Sequence, residues 1–382
     1  MQEVWTVFVG ITKDEVPATA YGGKMMLSEV NLSAFALGCA IASSGGGGDT
    51  RTPLTMAVQA VSQRGPVPVV GIDDLPMDGL VMPCGLIGAP TVATEQLWSG
   101  EEALVLRTRL EDAIGASVVA VMCYEIAGAN GLLPVTWAAH LGLPLLDADG
   151  MGRAFPEMQQ QAMHLAGVPA APLVLTDGRG DVAVLWSTDN RRAERLARQS
   201  MSLFGGICAA ALYPMTTQRA RGAVIHGSVS RALLVGQSLR FRAMERIAAI
   251  ADAVDGSVLI RGKLVELQRQ TGTGFAKGSA TIEGVGEDAG RLVRLELQNE
   301  VLMAMEDGEV LAVVPDIISV IGSDSGQPIP SEGLRMGQRV VVIAHPSPAV
   351  WTTDQGLEVV GPEAFGLRVS YSPMKRRASH VV

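Results

Sequence analysis

Residues 118–131 read VVAVMCYEIAGANG and residues 143–157 read LPLLDADGMGRAFPE, and the fold turns on how these two stretches are read. Val118–Cys123 and Leu143–Leu146 are short, uncharged apolar runs bounded by glycine or proline. That is the pattern of strands buried on both faces of a parallel sheet. Gly131–Leu141 lies between them, helical in pattern and long enough for the crossover that parallel strands require. Each strand runs out into carboxylates beside small residues, Glu125 after the first and Asp147 and Asp149 after the second. Ligands of open α/β sheets bind beyond the carboxyl ends of the strands. Glu125, Asn130, Asp147, Asp149, Arg153 and Glu157 are therefore the candidates for one polar site. The competing reading is that acidic residues after strands cap the next helix, and that Glu157 complements a helix dipole beside Pro156.

Working outward, Asn31 or Ser33 caps a helix through Ser43. The run Ser43-Ser-Gly-Gly-Gly-Gly48-Asp49-Thr50 follows it. This is not a phosphate loop, because it follows a helix rather than a strand and no Gly-Lys-Ser/Thr closes it. It leads into a second helix, Pro53–Arg64. Four consecutive glycines carry a large ordering cost, so Gly46, Gly47, Gly48 and Asp49 are read as a substrate-binding turn whose backbone amides face an anionic group, with a plain helix–helix connector as the competing reading. Strands are expected at Val4–Val9, Val67–Ile72 and Leu80–Ile87, and a helical stretch after Thr91 or Thr94. Helices are expected at Glu101–Ile114 and Phe155–Ala166. Pro172–Leu175 and Asp181–Trp186 flank Thr176-Asp-Gly-Arg-Gly180 as a hairpin. Residues 189–255 read as helices closing over the sheet, the last of them long, from Gly227 to Ala253.

The pattern changes at Gly256. From there to Phe365, short β-rich runs alternate with glycine turns. Arg291–Leu297 alternates cleanly, with one face buried and one wet, and Asp307-Gly308 is a hairpin signal. The expected architecture is α/β. A large domain over residues 1–255 has a mainly parallel sheet flanked by helices and carries the site. A second domain over residues 256–370 is an all-β barrel or sandwich, and 371–382 is a tail.

Composition limits the function classes. The chain is 382 residues long and 48% hydrophobic but only 4% aromatic, so it can bury a large aliphatic core. With a net charge of −9 and no basic stripe, a nucleic-acid partner is not expected. The short basic run Lys375-Arg-Arg377 reads as a solvated terminus. The start Met1-Gln-Glu-Val has neither a basic region nor an apolar core, and no long apolar run follows, so neither leader nor membrane span is expected and the location is taken as cytoplasmic. Cys39, Cys84, Cys123 and Cys208 form no CxxC pair and read as buried thiols. High apolar content favours a homo-oligomer.

Six motifs together resemble one family: Ser44-Gly-Gly-Gly-Gly-Asp49, Tyr124-Glu-Ile-Ala-Gly-Ala-Asn130, Asp147 through Glu157, Gln298-Asn-Glu300, Val314-Pro-Asp316-Ile and Gly361-Pro-Glu-Ala-Phe-Gly366. The chain resembles the DUF917 family, whose two parts are labelled the N- and C-terminal domains of S-methyl thiohydantoin desulfurase. The resemblance implies an α/β domain followed by a β-rich one and hydrolysis of an S-methyl thiohydantoin or a related cyclic amide. It also implies the company of hydantoinase-like proteins, with a non-catalytic accessory role as the alternative. On these residues, Glu125 or Asp147 would take a proton from water. Asn130 and the glycine-loop amides would hold developing charge, and Arg153 would grip a substrate carboxylate. A divalent metal on Asp147, Asp149, Glu125 and a histidine is a further option, although no HxH or HExxH pattern supports it.

Overall fold

The computed structural model describes residues 25–88, 98–270 and 277–374. The expected strand Val4–Val9, the helical stretch after Thr91 or Thr94 and the basic run at 375–377 lie outside these residues.

The strands before Gly256 are β1 (Met26–Leu27), β2 (Val67–Val70), β3 (Leu80–Gly88), β4 (Val118–Cys123), β5 (Leu145–Leu146), β6 (Ala148–Asp149), β7 (Leu173–Thr176), β8 (Val182–Leu185), β9 (Ile207–Ala211), β10 (Met215–Thr216) and β11 (Ile225–His226); β6 and β11 form a two-stranded ladder of their own, and the others make the larger sheet. The order across the main sheet is β1-β2-β5-β4-β3-β9-β7-β8, with β10 also on β3. The central strands β2, β5, β4 and β3 are parallel. They are joined by crossovers through helices, among them Ala129–Leu141 between β4 and β5.

The expectation of a mainly parallel sheet is corrected here: the sheet is mixed. β9 runs antiparallel to both β3 and β7, and β7 and β8 form the expected hairpin. β9 reads Ile-Cys-Ala-Ala-Ala and was hidden among residues read as helical. Alanine carries little strand preference, and the segment is a strand because it fills a fully buried slot between β3 and β7. Two helices are also revised. Phe155–Ala166 is helical only over Ala162–Leu165, and the long helix after Gly227 is two, Ser228–Gly236 and Ala243–Ala253.

One face of the sheet is covered by the helices Leu32–Ala42, Arg51–Arg64, Glu102–Ile114 and Ala129–Leu141 in a single aliphatic core. The opposite face is covered by the loop after β6, by the helix Asn190–Leu203 and by residues from the far end of the chain, including Leu302, Val313, Trp351 and Phe365. The two parts of the molecule thus share a core.

The second sheet is β12 (Ser257–Gln270), β13 (Lys277–Gly284), β14 (Leu292–Gln298), β15 (Val301–Glu306), β16 (Glu309–Val313), β17 (Ile317–Gly322) and β18 (Arg339–His345), in the order β16-β15-β14-β13-β12-β18-β17. All its pairings are antiparallel, and it curls toward a barrel without a ladder joining its two ends. Ser44, from the glycine run, sits in that seam. Val301 N donates to the Ser44 carbonyl at 2.7 Å, Ile318 N donates to the Ser44 hydroxyl at 3.1 Å, and that hydroxyl lies 3.0 Å from the carbonyls of both Val301 and Ile318. A fully buried serine with positive φ (50°) is strained. Here it satisfies backbone groups that strand pairing leaves open.

Candidate active site

At the carboxyl ends of β3 and β4 lies a cavity of about 120 Å³. Its walls come from separated parts of the chain: Gly47 and Gly48, Tyr124 and Glu125, Asn130, the Phe155–Met158 loop, Glu194 and Arg198, and Asn299 and Glu300. The volume approaches that of a cavity that holds one six-membered ring.

The floor is built by β4 and the helix after it. Gly128, at φ 57°, starts that helix, and a Cβ there would lie 2.2 Å from the Gly47 carbonyl oxygen. Glycine is required for this approach. Ala129 N donates to that same carbonyl at 2.8 Å. The glycine run therefore packs its backbone on the helix start, and the amides of Gly45 and Gly46 are already bonded to Ser43.

Asn130 fixes the acid beside it. Its Nδ2 donates to Glu125 Oε2 at 2.8 Å and to Tyr124 Oη at 2.9 Å, while its Oδ1 accepts from Leu86 N at 2.8 Å. The Tyr124 hydroxyl donates to the Leu86 carbonyl. Every polar atom in this chain of contacts has one orientation that satisfies it.

Glu125 is 4% exposed and Glu300 3%. Burial raises the Glu125 carboxyl well above the usual range, helped by the charges of Glu300 and Asp149 and opposed by the Asn130 bond. Burial raises Glu300 to about 7, with Arg153 pulling the other way. Glu300 Oε2 has no hydrogen-bond partner among the described residues. A carboxylate left this way holds its proton up to neutral pH. Glu300 was missed as a site residue because Asn299-Glu300 joins two strands and turn chemistry accounts for it. The only signal was its presence in the Gln298-Asn-Glu300 motif. The helix residues Glu194 and Arg198 had no sequence signal. They form an ion pair at the cavity rim, and Arg198 Nη2 also donates to the Pro156 carbonyl at 2.9 Å.

Of the residues expected at one site, Glu125, Asn130, Gly47, Gly48 and Glu157 line the cavity. Gly46 stands behind it, where a Cβ would fall 2.3 Å from Glu300 Oε1. The remaining four are placed elsewhere. Asp49 is paired with Arg51 at 2.5 Å outside the cavity. Asp147 caps the helix Ser228–Gly236, its Oδ1 accepting from Val229 N at 2.9 Å and Ser230 N at 3.0 Å. Asp149 is fully buried, accepting from Ile126 N, Met151 N and Gly152 N on Oδ2 and from Ser228 Oγ on Oδ1. Both carboxylates hold backbone amides and neither lines the cavity. Arg153 is also fully buried, with Nη1 donating to the carbonyls of Pro315 at 2.7 Å and Asp316 at 2.8 Å. Its guanidinium lies 4.8 Å from the Phe155 ring centroid. It clamps the two parts of the chain and puts positive charge near the two glutamates.

The proposed metal ligands do not converge: among the described residues, no group of three or more His, Cys, Asp or Glu side chains is arranged to hold an ion. Asp147→Asn keeps an oxygen for the amides of Val229 and Ser230, and asparagine caps about as well as aspartate, so it is expected to cost less than about 1 kcal/mol of stability, with activity within a few-fold of the parent. A urea titration and an initial-rate assay check both, and loss of turnover in a folded D147N protein would return Asp147 to the mechanism.

The fold and cavity define an α/β protein with a small, partly open site, lined by buried carboxyls and bordered by an appended β sheet. The S-Me-THD-like N-terminal domain matches residues 30–187 and the S-Me-THD-like C-terminal domain matches residues 188–374, and the chain belongs to this family. A crystal structure of a protein from Chromobacterium violaceum has the same fold, with a TM-score of 0.75 and 25% identity over 92% of this chain and all of that one. No curated protein matches. Among the described residues, no helix is long and apolar enough to cross a membrane.

Proposed function

We propose that the chain hydrolyses a small S-alkylated thiohydantoin-like ring, replacing the alkylthio group with oxygen. Family membership supports the substrate class, and one observation supports the chemistry: two buried carboxyls, Glu125 and Glu300, from different parts of the fold, face one ring-sized cavity with raised pKa values. In such a pair Glu300 ionises as pH rises through about 7, while burial and the neighbouring charges keep the proton on Glu125.

In this reading Glu300, with the lower barrier to ionisation, takes a proton from water as its oxygen attacks the ring carbon that carries sulfur. Glu125, held by Asn130, donates its proton to the adjacent ring nitrogen. The carbon–sulfur bond then breaks as the new hydroxyl returns its proton to Glu125 and becomes the carbonyl, and the leaving thiolate takes the proton that Glu300 accepted. Water and thioether become carbonyl and thiol, with no redox change. Met151, Phe155, Met158 and Met201 give the alkylthio group a soft apolar wall.

The test is turnover of an S-methylated thiohydantoin in ¹⁸O water. The expected result is one thiol released per ring and one ¹⁸O in the product. Absence of thiol, or an unlabelled product, contradicts the reading.

A further inference from the structure

A second cavity, of about 110 Å³, shares no lining residue with the first. It lies between the helices Leu32–Ala42 and Ser228–Gly236 on one side and Ile317, His345 and Pro348 on the other. Most of its wall is aliphatic, including Ile41, Ile126, Val235 and Ile317. Two of its polar residues are already engaged: Ser228 Oγ with Asp149, and His226 Nε2 with the Arg221 carbonyl at 2.9 Å.

His345 is different. It is 7% exposed, and its Nε2 is buried with no hydrogen-bond partner among the described residues. The neighbouring Pro346 backbone has no N–H and can offer the ring only an acceptor. A neutral ring with its proton on Nδ1 has a bare lone pair on Nε2. Burial holds the ring neutral, lowering its pKa to about 3. A buried acceptor left this way is costly unless something supplies a donor. At the rim stands Arg231, exposed and able to take an anionic group with its planar fork.

We propose that this cavity binds a small carboxylic acid that carries an O–H or ring N–H donor. The donor bonds to His345 Nε2, the carboxylate meets Arg231, and the hydrocarbon lies against the isoleucines. The site is separate from the acidic cavity, and a ligand in it touches helices that pack on the large sheet as well as β17 and the end of β18.

The experiment titrates ¹⁵N-labelled full-length protein with glycolate, lactate and pyroglutamate, with acetate as the acid that lacks the donor. The readouts are the long-range ¹H–¹⁵N histidine spectrum and the thermal midpoint. His345 is assigned by the signal missing from a His345→Gln variant, or by elimination using His140, His164, His226 and His380 variants if that one does not fold. At least one donor-bearing acid is expected to shift the His345 Nε2 resonance and raise the midpoint, with acetate binding about tenfold more weakly for want of one hydrogen bond. Arg231→Ala, an exposed change outside the acidic cavity, should weaken binding about tenfold and leave thiohydantoin turnover unchanged. The proposal is overturned if none of the three acids moves His345, if acetate binds as well as they do, or if Arg231→Ala binds equally tightly. Failure here leaves the hydrolase reading untouched, because the two cavities have no residue in common.

Discussion

Glu125→Gln is expected to lower turnover of an S-methylated thiohydantoin by roughly a hundredfold to ten-thousandfold, the range for losing a general acid. The fold should survive. Glutamine still accepts from Asn130 Nδ2 through its carbonyl oxygen, and the Tyr124 and Leu86 contacts of Asn130 do not depend on a charge. A buried carboxyl with a raised pKa costs stability whenever it ionises, so its removal is at worst neutral above pH 7. Turnover therefore falls while the thermal midpoint holds or rises. A folded E125Q protein with parental kcat/KM would remove Glu125 from the chemistry.

Arg153→Met is expected to have the opposite signature, with stability lost first. Arg153 is fully buried, and it satisfies the Pro315 and Asp316 carbonyls from one guanidinium. Removing one partner of a buried charged network typically costs about 3–5 kcal/mol. The charges of Glu300, Asp316 and Glu125 all favour the cation, and Glu300 loses the largest influence that opposes its burial. Arg153→Lys should recover little, since an ammonium cannot reproduce the planar fork. Urea unfolding checks this. A variant with parental stability and only a raised KM would restore the original expectation that Arg153 grips substrate.

The centre of the fold was legible because parallel strands buried on both faces leave a strong trace. Val118–Cys123, the crossover helix and the strand pair Leu145–Leu146 stand close to where the apolar runs placed them. Glu125 and Asn130 followed from position alone, at the rim where such sheets bind ligands. The Asp307-Gly308 turn also falls as read, with both residues at positive φ between β15 and β16.

The other features are set by tertiary contacts. β9 is a strand because of its neighbours, not its alanines. The Phe155–Gln161 segment gives up helix for loop bonds such as Glu157 N to Gln160 Oε1 at 2.9 Å. Sequence places Asp147 and Asp149 at a strand exit. It does not say that the amides of Val229, Ser230, Ile126, Met151 and Gly152 fold back to consume their oxygens. Glu300 reads as an ordinary turn residue until the curled sheet closes over the cavity, and only burial separates it from a solvated one.

The central claim is that Glu125 and Glu300 act as one acid–base pair, and the pH profile of kcat/KM on an S-methylated thiohydantoin tests it most directly. The attacking base must be ionised, so activity should fall as pH drops through the Glu300 pKa, which burial raises to about 7. The acid limb should therefore lie near pH 7, well above an ordinary glutamate, and Glu300→Gln should abolish it along with most of the rate. A profile that stays flat from about pH 5 to 8, where an unperturbed carboxylate is already ionised, or an acid limb that persists in the Glu300→Gln protein, would contradict the account.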